Sequence, residues 1–198
     1  MSLSLRQGTP AECFDLVASG RTDMAICAEG KLHAGLAALP CYRLYRSVMT
    51  PLRHPLLRAK RLSLDMLAQY PLITYDESFS GSNIVNRTFS DHGLNPKIVL
   101  SVVDADVSKI YVGMGLGIAI AAGVCYKARQ DLNLRCIDAR HLFKPSDVSI
   151  VLRRHNHLRQ YMVDFIRIFA PGLDEGQIKD TLFMKNPVPL PRLNLPEL

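Results

Sequence analysis

Residues Leu3 to Ala28 read LSLRQGTPAECFDLVASGRTDMAICA. Leu3 and Leu5 alternate with polar neighbours, the pattern of a short strand, and Gln7-Gly8-Thr9-Pro10 breaks it. Thr9 suits the N-cap of a helix, Pro10 its first position, where a missing N–H costs nothing, and Glu12 at N3 completes a capping box. Phe14, Leu16 and Val17 give that helix an apolar face and Gly20 ends it. Met24 to Ala28 is a short apolar run of buried-strand type. The stretch therefore predicts strand, helix, strand with a right-handed crossover, one half of a parallel α/β sheet.

The rest of the chain repeats the alternation. Strands are expected at Leu36 to Leu39, Leu44 to Met49, Leu72 to Tyr75, Lys97 to Val103, Gly117 to Ala121, Leu134 to Ile137 and Val148 to Leu152. Ser63 caps a short helix through Ala68, a helix follows the hydroxyl-rich loop Asp76 to Asn83 and runs to His92-Gly93, and Asp104 caps a third that Gly115 ends. Leu158, Tyr161, Met162, Phe165, Ile166 and Phe169 mark an amphipathic helix up to Pro171-Gly172. Pro187, Pro189, Pro191 and Pro196 make the tail extended. The pattern gives two α/β units.

Composition bounds the function. The chain has 198 residues, 48% hydrophobic, enough to bury a core, and its longest apolar run, Met114 to Val124, is interrupted by three glycines, so no membrane span is expected. Its start lacks the charged and apolar regions of a secretory signal, which points to the cytoplasm. The five cysteines show no C-x-x-C spacing and read as reduced core residues. A formal charge of +6 invites nucleic acid, yet the basic residues are spread out, and the densest group, Arg153, Arg154, His155, His157 and Arg159, lacks interleaved aromatics and reads as a solvated face or subunit contact.

Two turns place polar groups where a strand's C-terminal end meets a helix N-terminus, the place where α/β sheets bind ligands and free N–H groups attract anions. One is Gln7-Gly8-Thr9-Pro10; the other is Thr74 followed by Ser78, Ser80, Gly81, Ser82 and Asn83. Spacing alone favours plain helix caps, since Ser and Thr are the ordinary capping residues. Asp104-Ala105-Asp106 is acidic and reads as a cap or hinge element, and Gly115-x-Gly117 sits at a helix end without the third glycine of a dinucleotide loop. No elbow, Walker or zinc-protease motif occurs, and His155-x-His157 lacks a third ligand, so neither an enzyme, a metal nor a cofactor is expected.

Taken in order, Gln7-Gly8-Thr9-Pro10, Leu39-Pro40-Cys41-Tyr42, Ala68-Gln69-Tyr70-Pro71-Leu72-Ile73-Thr74-Tyr75, Asp104-Ala105-Asp106-Val107, Gly113-Met114-Gly115-Leu116-Gly117 and Tyr161-Met162-Val163-Asp164-Phe165 resemble the CysB and Cbl group of LysR-type transcription regulators. The resemblance covers Ser2 to about Leu182. It implies two Rossmann-like α/β lobes resembling type 2 periplasmic binding proteins, the chain crossing twice between them: residues 1–41 with 147–198 as regulatory lobe I and 42–146 as lobe II. It further implies an interlobe cleft for a small effector (acetylserine, sulfate or thiosulfate), a homodimer or homotetramer, and DNA contact only through a winged helix-turn-helix that would precede Met1, together with a Thr-x-Thr-Gln cleft segment. Carried over by position, the lobe II cleft hydroxyl corresponds to Ser80, and the lobe I hydroxyl before a glutamate corresponds to Ala28 beside Glu29, where this chain has none. The expected effector-binding set is Gln7, Thr9, Ala28, Glu29, Thr74, Ser78, Ser80 and Gly81.

The leading functional reading is therefore effector sensing for control of sulfur assimilation and cysteine biosynthesis. A solute-binding protein of a transporter shares the implied architecture and is the alternative. An enzyme built on a Cys27 nucleophile is a third class, requiring a base near the thiol.

Overall fold

The computed structural model describes residues 3–28, 32–76, 80–155, 158–183 and 195–197, with the backbone alone for 80–83 and 175. The chain forms two compact units, Met1–Arg43 with Asp147–Glu197, and Leu44–Ser146.

In the first unit, Thr9 caps α1 (Pro10–Ala18) through the full capping box, and Gly20 adopts φ +75 just beyond its end. Three strands lie side by side in the order β1 (Ala25–Ala28), β8 (Ser146–Arg153), β2 (Leu36–Leu44). Alternation assigns their faces: Leu36 and Val151 pack with Phe14 and Val17 of α1. Ala37, Leu39, Ile150 and Leu152 point the other way, against Met162 and Ile166 of α5 (Gln160–Phe169) and Ile178 and Leu182 of α6 (Glu175–Phe183). Glu197 bridges back to Arg43 of β2 in a parallel sense.

The second unit carries five strands in the order β5-β4-β6-β3-β7: β3 (Arg46–Pro51), β4 (Leu72–Tyr75), β5 (Ile98–Val102), β6 (Ile118–Ala122) and β7 (Leu134–Asp138). β4 is parallel to β5 and β6, whereas β3 is antiparallel to β6 and β7. Leu72, Ile118, Ile120 and Val48 face Leu64 and Leu67 of α2 (Leu64–Ala68) and Val85 and Phe89 of α3 (Ser80–Asp91). Ile73, Ala119, Ala121 and Met49 face Val112 of α4 (Ala105–Gly113). Asp104 caps α4, its carboxylate accepting from the Asp106 N–H at 2.6 Å. Gly117 is needed by close approach, since a Cβ there would stand 2.4 Å from the Pro71 carbonyl oxygen.

Several expectations change. Leu3 and Leu5 are 69% and 85% exposed and form no strand, because one alternating pair without a neighbouring strand buries nothing. The opening is consequently not a parallel strand-helix-strand unit: β1 pairs antiparallel with β8. Leu44 ends β2, and the next strand starts at Arg46, after a break at Tyr45. Glu175–Phe183, where the sequence patterns marked no element, forms α6, which buries Ile178 and Leu182 under the sheet. The proline run 187–191 lies outside the described residues.

Candidate functional site

Each sequence motif falls at a helix start, and the two starts differ in what already occupies them. At α1, the Thr9 N–H donates to Glu12 Oε2 at 2.8 Å, the Thr9 hydroxyl donates to the same oxygen at 3.0 Å, and the Glu12 N–H donates to Thr9 Oγ1 at 3.3 Å. Those bonds hold the Glu12 carboxyl below its ordinary range. A carboxylate thus sits on the helix end that an anion would seek. Gln7 is exposed, Thr9 half-buried, and Ala28 ends β1 opposite Val148. Glu29 lies outside the described residues.

At the second motif the hydroxyl is free. Thr74 is buried on β4, and its Oγ1 has no hydrogen-bond partner, a condition it shares with Thr22 among the described residues. Leaving a buried hydroxyl unpaired costs about 1–3 kcal/mol, which makes such groups uncommon in folded chains. Strand alternation sets its direction: Leu72 faces α3, and Thr74, two residues on, shares that face. The backbone of α3 begins at Ser80, with Gly81 in its first turn, so strand end and helix start meet here; Ser78 lies outside the described residues.

Sequence reasoning missed Arg46. It is 4% exposed, and its Nη2 donates to Ser146 Oγ at 2.7 Å. Arg46 pairs with Ala122 on β6, while Ile73 of β4 pairs with Ala119. Continuing that parallel register by three residues sets Asp76, Ala122 and Arg46 in one row at the C-terminal edge of β4 and β6. Arg46 stands two residues before Val48 and so shares the α3 face with Thr74. The signal was an arginine at the head of a strand whose other residues are uncharged. Next to it, burial pushes the Tyr75 phenol up, reinforced by the Cys125 thiol, with the Arg46 charge acting the other way.

Cys27 is buried at the end of the first-unit sheet, 7% exposed. Burial, with the Cys13 thiol beside it, pushes its pKa up to about 12, so at neutral pH it is a protonated core thiol. No group of three or more metal-ligating side chains occurs among the described residues, and none of their helices is long and apolar enough to cross a membrane. An open groove of about 430 Å³ lies between α5 and α6, lined by Leu158, Val163, Ile178 and Phe183 with Arg167 and Lys179; it contains none of the residues expected to bind the effector.

The mixed α/β chain, with its two sheets, has the type 2 periplasmic-binding-protein fold. The chain belongs to the LysR substrate binding domain family, whose sequence model matches residues 1–174. It is 36% identical over 181 residues to the HTH-type transcriptional regulator SsuR of Burkholderia cenocepacia, covering 91% of this chain and 59% of that protein. It is 38% identical to the regulator CysB of the same organism, covering 91% and 58%. The chain thus spans less than two thirds of the length of these curated relatives. Among solved structures it resembles the cofactor-binding domain of the Cbl transcriptional regulator, with TM-score 0.84 and 35% identity over 91% of this chain and 79% of that one.

Proposed function

We propose that this chain is the effector-sensing part of a transcription regulator of sulfur assimilation and cysteine biosynthesis, and that its effector is a small anion or an acetylated serine. One observation carries the placement of the site: the buried, unpartnered Thr74 hydroxyl on the α3 face at the end of β4. A helix N-terminus adds partial positive charge and free N–H donors at that end of the strand, a setting that holds small anions. The α1 start is the weaker candidate, since Glu12 occupies its donors and opposes a second negative charge. Names of the relatives support the sulfur assignment, CysB and Cbl having been the resemblance from the start. In the whole protein, DNA contact belongs to a helix-turn-helix part, sensing domains pair as homodimers or homotetramers, and the setting is the cytoplasm.

Calorimetric titration of sulfate, thiosulfate and O-acetylserine into the wild type, Ser80→Ala and Ala28→Thr tests the site. Losing one hydrogen bond to a charged ligand weakens binding about ten- to a hundredfold, which is the expected result for Ser80→Ala. Ala28→Thr strengthens it if the missing lobe I hydroxyl belongs to the pocket. Wild-type affinity in Ser80→Ala for all three ligands makes Ser80 a cap only and refutes the placement.

A further inference from the structure

We propose that the basic turn 53–61 of the second unit is a docking surface for the phosphate backbone of double-stranded DNA, holding a duplex without reading its sequence. This contact adds to the sequence-reading one and rests on the reading of the whole protein as a DNA-binding regulator.

Between residues 50 and 75 the chain carries Arg53, Arg58, Lys60 and Arg61 against a single acid, Asp65. All four cations are exposed, and none forms an ion pair with a described residue. Asp65 lies in the first turn of α2, where the helix N-terminus draws it. The loop 139–145 packs against the stretch, His141 Nε2 meeting the Leu62 carbonyl at 3.0 Å, and it brings Arg140, Lys144 and no acid. Four like charges without a partner in the fold repel one another and draw a polyanion. The backbone beneath them is held in place: the His54 N–H donates to the Pro51 carbonyl at 3.3 Å, and His54 Nδ1 caps the 3-10 turn Pro55–Arg58 by accepting from the Leu56 N–H at 3.3 Å. Leu56 and Leu62 anchor it in the core. Arg53 and Arg61 are eight residue steps apart, a reach of at most about 28 Å, so the charges fall within one turn of a duplex, about 34 Å. Residues 53–61 contain no Phe, Tyr or Trp to stack unpaired bases, which selects a duplex over a single strand. The other dense basic group is tied into its own unit, Arg154 donating to the Leu36 and Thr181 carbonyls at 2.9 and 3.3 Å. Leu52, Leu57 and Met66 are also exposed here, and an acidic protein would use them. DNA is favoured because, on the reading above, the DNA-binding part keeps a duplex tethered beside this chain at high local concentration.

Fluorescence anisotropy of a labelled duplex of arbitrary sequence, about 20 base pairs long, read across a salt series, tests this contact. For the wild-type chain, log K falls against log salt with a slope of about −3 to −4, the value for four phosphate contacts, and scrambling the duplex sequence changes nothing. Arg58→Gln combined with Arg61→Gln makes the slope shallower by about two. The charge-matched pair Arg6→Gln with Arg21→Gln, exposed cations of the first unit, leaves it unchanged. All four substituted residues are exposed, so the melting temperature stays at the wild-type value. A wild-type chain that does not bind the duplex at low salt overturns the proposal, as do two pairs with the same slope. Binding of poly-glutamate without binding of the duplex assigns the surface to an acidic protein and overturns it too. Titration of sulfate, thiosulfate and O-acetylserine into the same proteins keeps the two readings apart: a chain that binds none of them fails as an effector sensor, while the difference in salt slope between the two pairs still decides this surface.

Discussion

Thr9 and Thr74 are the same residue type, one the N-cap of α1 and the other within β4, and their hydroxyls do opposite things. Thr9 spends both its donor and acceptor capacity on Glu12, which makes it a helix cap; Thr74 Oγ1 is buried and spends nothing. Sequence spacing weighs the two alike, because a cap and a ligand contact call for the same small hydroxyl. What separates them is a bond count that only coordinates supply. Cys27 shows the converse: its place at a strand end suggested reactivity, and burial disfavours the thiolate that reactivity needs. Because folding raises its pKa from 9.0 to about 12, the native state holds the proton more tightly than the unfolded chain. Its contribution is complete below about pH 9 and is lost as pH rises towards 12, at up to about 1.4 kcal/mol per pH unit. Urea unfolding should show stability falling above about pH 9, with a shallower fall in Cys27→Ala than in wild type. An identical slope in the two proteins rules out a tightly held thiol proton.

At the scale of elements, α4 carries a face that its own unit leaves open. Val107, Ile110, Tyr111 and Met114 recur at helical spacing and are exposed, Ile110 by 59% and Met114 by 75%, while Val112 on the other side is fully buried. A second copy of this chain is the proposed cover, in line with a two-fold, isologous contact. Ile110→Glu should shift sedimentation from dimer towards monomer at unchanged melting temperature, since the residue is not in the core. A wild type that stays monomeric at high concentration, or a variant as dimeric as the wild type, contradicts this. Element types were largely readable, because helix caps and apolar runs are local: Thr9, Ser63 and Asp104 each cap the helix expected of them. Pairing was not readable. Whether β1 lies parallel or antiparallel to its neighbour depends on β8, more than a hundred residues away, and no local pattern encodes that. α6 escaped for a related reason, its apolar residues Ile178 and Leu182 being too few to stand out before the sheet they cover is known.

For the molecule as a whole, the motif order carried more than any motif, since six weak segments in one sequence pointed to a family that the fold and the relatives bear out. Half of the proposed site was legible in the same way: Thr74 and the start of α3 were marked by the strand-to-helix turn. The burial of Arg46 was not legible, because it depends on the β3-β6-β4 order that places its strand inside the sheet. The central claim is that Thr74 keeps a buried hydroxyl unpaired for a ligand, at a cost in stability. Thermal unfolding of wild type and Thr74→Val, each with and without sulfate, thiosulfate and O-acetylserine, tests it most directly. Removing an unpaired buried hydroxyl should stabilise the ligand-free chain by about 1 kcal/mol, or about 2–4 °C for a chain of this size, while the ligand-induced rise in melting temperature shrinks. A Thr74→Val variant that is less stable without ligand and gains as much from ligand as the wild type contradicts the account.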